Sequence, residues 1–364
     1  MVNSVFKQVK ISGIVSVTPE NYKTIDEEID MYGGNQKQID RIKKTIGINK
    51  RHVVSGNTTS ADLCLYAAEQ LLINMSRSKH EIDALVVVTQ TPDHFQPCNA
   101  AVVHGRLGLK KSCAALDVNL GCSGYIYGLW LSHMMVTSGN CKVVLLLAGD
   151  TISRCVNPRD RSTAPLFGDA GSATLVESEA LDTETKTYFG LHTDGSGCGL
   201  IQVPAGAFRH PTSSETLKQI QDQDGNWHSQ NDLHMNGGEV FNFSVSVEPA
   251  SINQILDYSN TDIDEIDYFV FHQANKYIIS NIARRLHLPM AKVPCSIVEK
   301  YGNLSSASIP SAINDELSQE ISKSRLKLVL SGFGVGLSWA SCLIELDSIY
   351  CPPVLLFKEH IDCG

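Results

Sequence analysis

The stretch from Ala114 to Trp130 constrains this chain more than any other. Ala114–Val118 is a short apolar run of strand type, Gly121-Cys122-Ser123-Gly124 is a turn, and the apolar residues through Leu129, Trp130 and Met134 continue as a helix would. A strand that passes through a glycine turn straight into a helix is the building unit of layered α/β folds. The turn also carries a cysteine flanked by glycines, which permit a sharp bend and close approach of a substrate to the backbone. A helix start directly behind Cys122 offers unpaired N–H groups and the positive end of the helix dipole. Both are expected to lower the thiol pKa, and the same N–H groups suit an oxyanion. A lone cysteine at a tight turn is more often simply buried, so the reading depends on partners elsewhere in the chain.

Composition narrows the classes. The chain has 364 residues, 43% hydrophobic and 19% charged, enough for one large or two ordinary domains. A net charge of -9 gives no global footprint for nucleic acid. No apolar run reaches the ~18 residues needed to span a membrane. Residues 1–10 lack the charged-then-apolar order of a signal peptide, and the eleven cysteines show no paired rhythm. Reduced thiols and a cytoplasmic location are therefore expected. With neither a CxxC nor an HExxH spacing, no metal site is expected.

Along the chain, residues 5–17 read as a first strand. Residues 20–46 read as helices bridged by Gly33-Gly34, and residues 47–52 as a short basic connection. Thr59-Ser60-Ala61-Asp62 starts a helix with Leu63, Ala67, Leu71 and Leu72 on one face. Ile82–Thr89 is a continuous apolar, β-branched strand of the kind buried on both faces of a parallel sheet, and Lys142–Ala148 is another. The second half repeats this order. Ile82 and Ile266 precede similar strands 184 residues apart, Lys142 and Lys327 open similar strands 185 apart, and Gly121 and Gly302 open similar turns 181 apart. Three matching offsets indicate a duplicated α/β unit joined near residues 178–190. The halves are taken as residues 1–180 and 181–347, followed by a tail, 348–364. Residues 191–245 are expected to form loops and edge strands lining a cleft. Duplication would bring Cys122 and Asn303 to equivalent turns beside one cleft.

Three further segments bear chemistry. Phe269-Val-Phe-His-Gln-Ala-Asn275 sets His272 just past a buried strand, where α/β folds place ligands. Tyr301-Gly-Asn303 puts an amide on a glycine turn, and Gly332-Phe-Gly-Val-Gly336 follows a strand. Each has an ordinary reading by itself: a satisfied polar residue, a helix cap, a tight strand connection.

Together with Gly121-Cys122-Ser-Gly124, Asp160-Arg161, Phe167-Gly-Asp-Ala-Gly171 and Ser305-Ser-Ala-Ser308, these segments resemble the thiolase-like condensing enzymes, specifically the β-ketoacyl-ACP synthase III family. The resemblance runs from about residue 8 to residue 346. It implies a five-layer α-β-α-β-α fold, a homodimer, and an active site at the foot of a pantetheine tunnel. It implies that Cys122 accepts an acyl group from acyl-CoA and that His272 and Asn303 bind the thioester carbonyl of a malonyl donor held on acyl carrier protein. The backbone N–H groups of Cys122 and Val335 would hold the tetrahedral oxyanion, and no cofactor would be needed. Asn275 and Phe333 would line the substrate path and Arg161 would meet coenzyme A. Arg284 and Arg285 would keep a carrier-docking patch basic.

The chain departs from the family pattern at several positions. Arg41 stands where a tryptophan stacks on adenine, Tyr277 where the docking patch has an arginine, Val335 where glycine is usual, and Gln96 where a phenylalanine floors the acyl pocket of the dimer mate. The departures point to a specialised synthase, and Gln96 to a short or polar acyl primer. The competing reading is a Cys–His acyltransferase on the same fold that passes its acyl group to oxygen or nitrogen.

Overall fold

The apolar strands Ala84–Val88 and Val143–Asp150 are buried at every residue and pair in parallel. Strands of this kind need cover on both faces, and the chain supplies it from two sides. The computed structural model describes residues 2–180 and 185–358. It holds a six-stranded sheet with the order Leu355–Phe357, Val9–Pro19, Ala170–Ser178, Val143–Asp150, Ala84–Val88, Ala114–Val118. A second, five-stranded sheet runs Val2–Lys7, Lys186–Thr193, Ser338–Leu346, Leu326–Gly334, Tyr268–Phe271.

Helices Gly124–Thr137 and Ser308–Glu316 lie between the sheets and share one apolar cluster with strands of both. Ser60–Asn74 and Asn99–Leu107 cover the outer face of the first sheet. Gly237–Ser259 and Lys276–Arg285 cover the second. The result is the expected five-layer arrangement. Its repeat is visible in the pairing: Tyr268–Phe271 runs parallel to Leu326–Gly334 as Ala84–Val88 does to Val143–Asp150. The next strand inward is antiparallel in both sheets. The expected helix start at Thr59 is a capping box closed by Asp62.

Several local expectations are corrected. Residues 5–17 are not one strand: Val2–Lys7 and Val9–Pro19 are separated at Gln8, whose φ is 62°, and they enter different sheets. The sheets therefore do not divide at one point of the chain. Val2–Lys7 pairs with Lys186–Thr193 of the second half, and Leu355–Phe357 from the tail adds a parallel edge strand beside Val9–Pro19. Tail residues 359–364, and residues 181–184 of the expected join near 178–190, lie outside the described residues. Lys50–His52 is a strand paired with Tyr22–Thr24, not a free connection. The 191–245 region holds two short ribbons, Ile201–Gln202 with His234–Met235 and Ile220–Gln221 with Trp227–His228. Among the described residues no helix is long and apolar enough to cross a membrane.

Candidate active site

Cys122 stands one residue past the bend that follows Ala114–Val118, just ahead of the central helix Gly124–Thr137. The end of the strand Leu326–Gly334 presses on it. A Cβ at Gly334 would lie 2.8 Å from both Cβ and Sγ of Cys122, and one at Gly332 would lie 2.7 Å from the Cys122 carbonyl oxygen. Only glycine lets that strand come so close. The pressing strand comes from far along the chain, so Cys122 sits between segments some 210 residues apart in sequence.

His272 follows the strand Tyr268–Phe271, and its N–H donates to the Ser331 carbonyl at 2.7 Å. The side chain is 1% exposed, with Nδ1 2.6 Å from the Ser308 hydroxyl and the ring edge-on to Phe333 at 5.5 Å. Asn303 bridges the halves by backbone: its N–H donates to Leu166 at 2.9 Å, and Gly168 donates to its carbonyl at 3.0 Å. Its Oδ1 accepts the Ser305 N–H at 3.0 Å, which leaves Nδ2 to donate elsewhere.

These side chains meet on one cavity of about 770 Å³, lined by Cys122, His272 and Asn303 together with Val335, Phe333, Asn275 and Arg161. Apolar residues including Ile42, Ile152, Leu233 and Phe241 make up much of the remaining wall. Such a lining, with few convergent polar groups, is the usual build of a small-molecule site.

Charge is scarce at its base. Burial, with a smaller contribution from the Asp150 carboxylate, pushes the Cys122 thiol up to about 12. Hydrogen bonding from the backbone of Val335 and of Cys122 itself, and from Ser305, opposes this without reversing it. The expectation of a lowered pKa from the helix start is thus corrected: removing the thiolate from water outweighs the few dipoles aimed at it. Burial likewise holds His272 down at about 3, so its ring is neutral at physiological pH. A neutral ring still carries one proton with which to donate a hydrogen bond.

Asp150 ties the surroundings together. Its Oδ1 accepts the Gln90 N–H at 2.7 Å, and its Oδ2 accepts the N–H and hydroxyl of Ser306 at 3.2 and 2.7 Å. One buried carboxylate so links the loop after Ala84–Val88 to the turn that carries Asn303.

The remaining expected residues divide. Arg161 is on the cavity wall with its guanidinium donating to the Asp224 carbonyl, and Asn275 is on the wall while its Oδ1 caps the helix Lys276–Arg285. Arg284 and Arg285 lie exposed on the last turn of that helix, away from the cavity, with Arg285 donating to Val245. Gln96 is exposed and does not line the cavity of its own chain. It follows Phe95, which packs against Phe208 at the surface. The glutamines that do reach this cavity are Gln90 and Gln202, of which Gln90 follows the buried strand Ala84–Val88. Sequence reasoning missed Gln90, along with Tyr32 and Asp150. Gln90 and Asp150 could have been found as polar residues at the carboxyl ends of buried parallel strands.

Relatives settle what the geometry outlines. Residues 116–201 match the model of 3-oxoacyl-[acyl-carrier-protein] synthase III and residues 256–346 match its C-terminal model. A β-ketoacyl-[acyl-carrier-protein] synthase III of Levilactobacillus brevis is 34% identical, over 93% of this chain and 99% of its own. The crystal structure of a 3-oxoacyl-(acyl-carrier protein) synthase from Burkholderia xenovorans superposes with a TM-score of 0.90 at 36% identity, covering 97% of this chain and 98% of that one. The chain belongs to the 3-oxoacyl-[acyl-carrier-protein] synthase III family. It is an acyltransferase with the thiolase fold, and the synthase III motifs identified in the sequence converge on this apolar cavity.

Proposed function

We propose that this condensing enzyme joins an acyl-CoA primer to a malonyl thioester on acyl carrier protein, with loss of CO2, to give a 3-oxoacyl thioester. The observation that carries the reading is the convergence of Cys122, His272 and Asn303 on one apolar cavity, the last two with one polar atom each already tied to the protein.

Cys122 attacks the primer thioester, and its proton leaves as the carbon–sulfur bond forms. That proton ends on the departing coenzyme A thiolate, so the step balances without a charge left on the protein, and neutral His272 is kept for the enolate. Loss of CO2 from the malonyl group then places negative charge on the enolate oxygen. Donors fixed at His272 and Asn303 meet that charge without reorganising, and one such donor is typically worth about 3 kcal/mol. The enolate carbon attacks the acyl-Cys122 carbonyl, whose oxygen is held by the backbone N–H groups of Cys122 and Val335 until the thiolate leaves. The apolar wall keeps water from hydrolysing the acyl-enzyme.

Asn303 favours condensation over acyl transfer to oxygen or nitrogen, which needs no enolate stabiliser. The departures at Arg41, Tyr277, Val335 and Gln96 favour a role in specialised metabolism over general fatty-acid initiation. Incubation with acetyl-CoA and malonyl carrier protein tests the reading: CO2 and 3-oxobutyryl carrier protein are expected. An acyl-enzyme that forms but yields product only with hydroxyl or amine acceptors would replace it.

A further inference from the structure

Ser308 opens the central helix Ser308–Glu316 and is wholly buried. Its Oγ lies 2.6 Å from His272 Nδ1 and 2.8 Å from the Ser305 carbonyl oxygen, and the Gln273 N–H donates to it from 3.4 Å. One hydroxyl hydrogen has two acceptors in reach. The Ser305 carbonyl already accepts the backbone N–H of Ser308. Nδ1 takes no other hydrogen bond among the described residues. A neutral imidazole carries one ring proton, so the nitrogen without it must accept.

We propose that Ser308 is a positioning residue that gives its hydroxyl hydrogen to His272 Nδ1 and thereby keeps the ring proton on Nε2, the nitrogen left for the cavity. The Gln273 N–H, donating to the same oxygen, leaves that oxygen free to point its own hydrogen at the ring. The opposite arrangement would put the proton on Nδ1 and turn a bare lone pair toward the enolate oxygen, which repels it. The functional consequence rests on the reading of His272 as an enolate donor; the tautomer itself does not. Acylation of Cys122 does not require a donor at Nε2, so the two half-reactions should respond differently to loss of the Ser308 hydroxyl.

The test begins with the unaltered full-length protein. Long-range proton–nitrogen spectra of histidine-labelled protein at pH 7, with the His272 signals assigned by their loss in His272→Ala, should show a pyrrole-type Nε2 and an imine-type Nδ1. The reverse pattern would overturn the proposal, and this result needs no altered Ser308. In Ser308→Ala, malonyl decarboxylation should fall about tenfold, the size of one lost neutral hydrogen bond, while Cys122 acylation stays within about twofold. Ser308→Thr should recover decarboxylation. Equal loss in both half-reactions, or none in decarboxylation, would also overturn it. A wild-type chain that decarboxylates no malonyl thioester would instead sink the functional reading, and the ring spectrum would still decide the tautomer.

Discussion

Gly334 and Cys122 are in closer contact than any residue with a side chain could sustain: a Cβ on Gly334 would sit 2.8 Å from the Cys122 sulfur. Gly334→Ala must therefore displace the nucleophile or the strand that carries Val335. Overpacking of this sort costs about 1–3 kcal/mol. Self-acylation of Cys122, followed by intact mass, should drop at least about tenfold, while circular dichroism at room temperature shows a folded protein. Acylation at the wild-type rate would mean that the strand yields freely and that the contact has no bearing on the nucleophile.

The ionisation of Cys122 gives a second expectation. With its thiol pushed up to about 12 by burial, only a small thiolate fraction exists at neutral pH. Alkylation of the Cys122 peptide by iodoacetamide should rise about tenfold per pH unit between pH 7 and 10. A rate that levels off below pH 8 would show that the helix start governs the thiol after all.

His272 should leave its mark on stability. Its folded pKa of about 3 lies below the ordinary 6.5, so folding favours the neutral ring. That contribution is complete above pH 6.5 and is lost as pH falls from there toward 3. The stability difference between wild type and His272→Ala, from urea unfolding, should shrink by about 1.4 kcal/mol per pH unit between pH 6 and 5. Other buried histidines cancel in that difference. A gap that stays constant with pH would mean that the ring is not held neutral by burial.

The assigned roles separate the half-reactions. Asn303→Ala removes a donor from the enolate but none from the thioester that Cys122 attacks. Malonyl decarboxylation should fall by about 100-fold or more, the usual loss for one such donor. Transfer of an acetyl group from acetyl-CoA to Cys122, read by mass, should stay within about threefold of wild type. If acylation collapsed as far as decarboxylation, Asn303 would be holding the turn and not the substrate.

Much of this protein could be read from local sequence. The strand-turn-helix around Cys122, the buried strands at Ala84–Val88 and Val143–Asp150, and the 181–185-residue offsets between the halves are short-range patterns. They fix the layered architecture because a strand apolar on both faces must be covered twice. The motifs around Cys122, His272 and Asn303 were legible for the same reason: each is a few consecutive residues, a strand and glycine turn at Cys122, a strand end at His272 and a glycine turn at Asn303. What the sequence could not decide depends on distant segments meeting. Gln8 breaks the first strand and sends Val2–Lys7 to the far sheet, where only the packed protein supplies a partner. Gln96 is two residues past His94 and six past Gln90, yet only Gln90 faces the cavity. The direction of the Cys122 shift was decided there too. The sequence shows the helix start that favours the thiolate, but the burial that outweighs it comes from segments far along the chain, and desolvation depends on everything that closes around the sulfur.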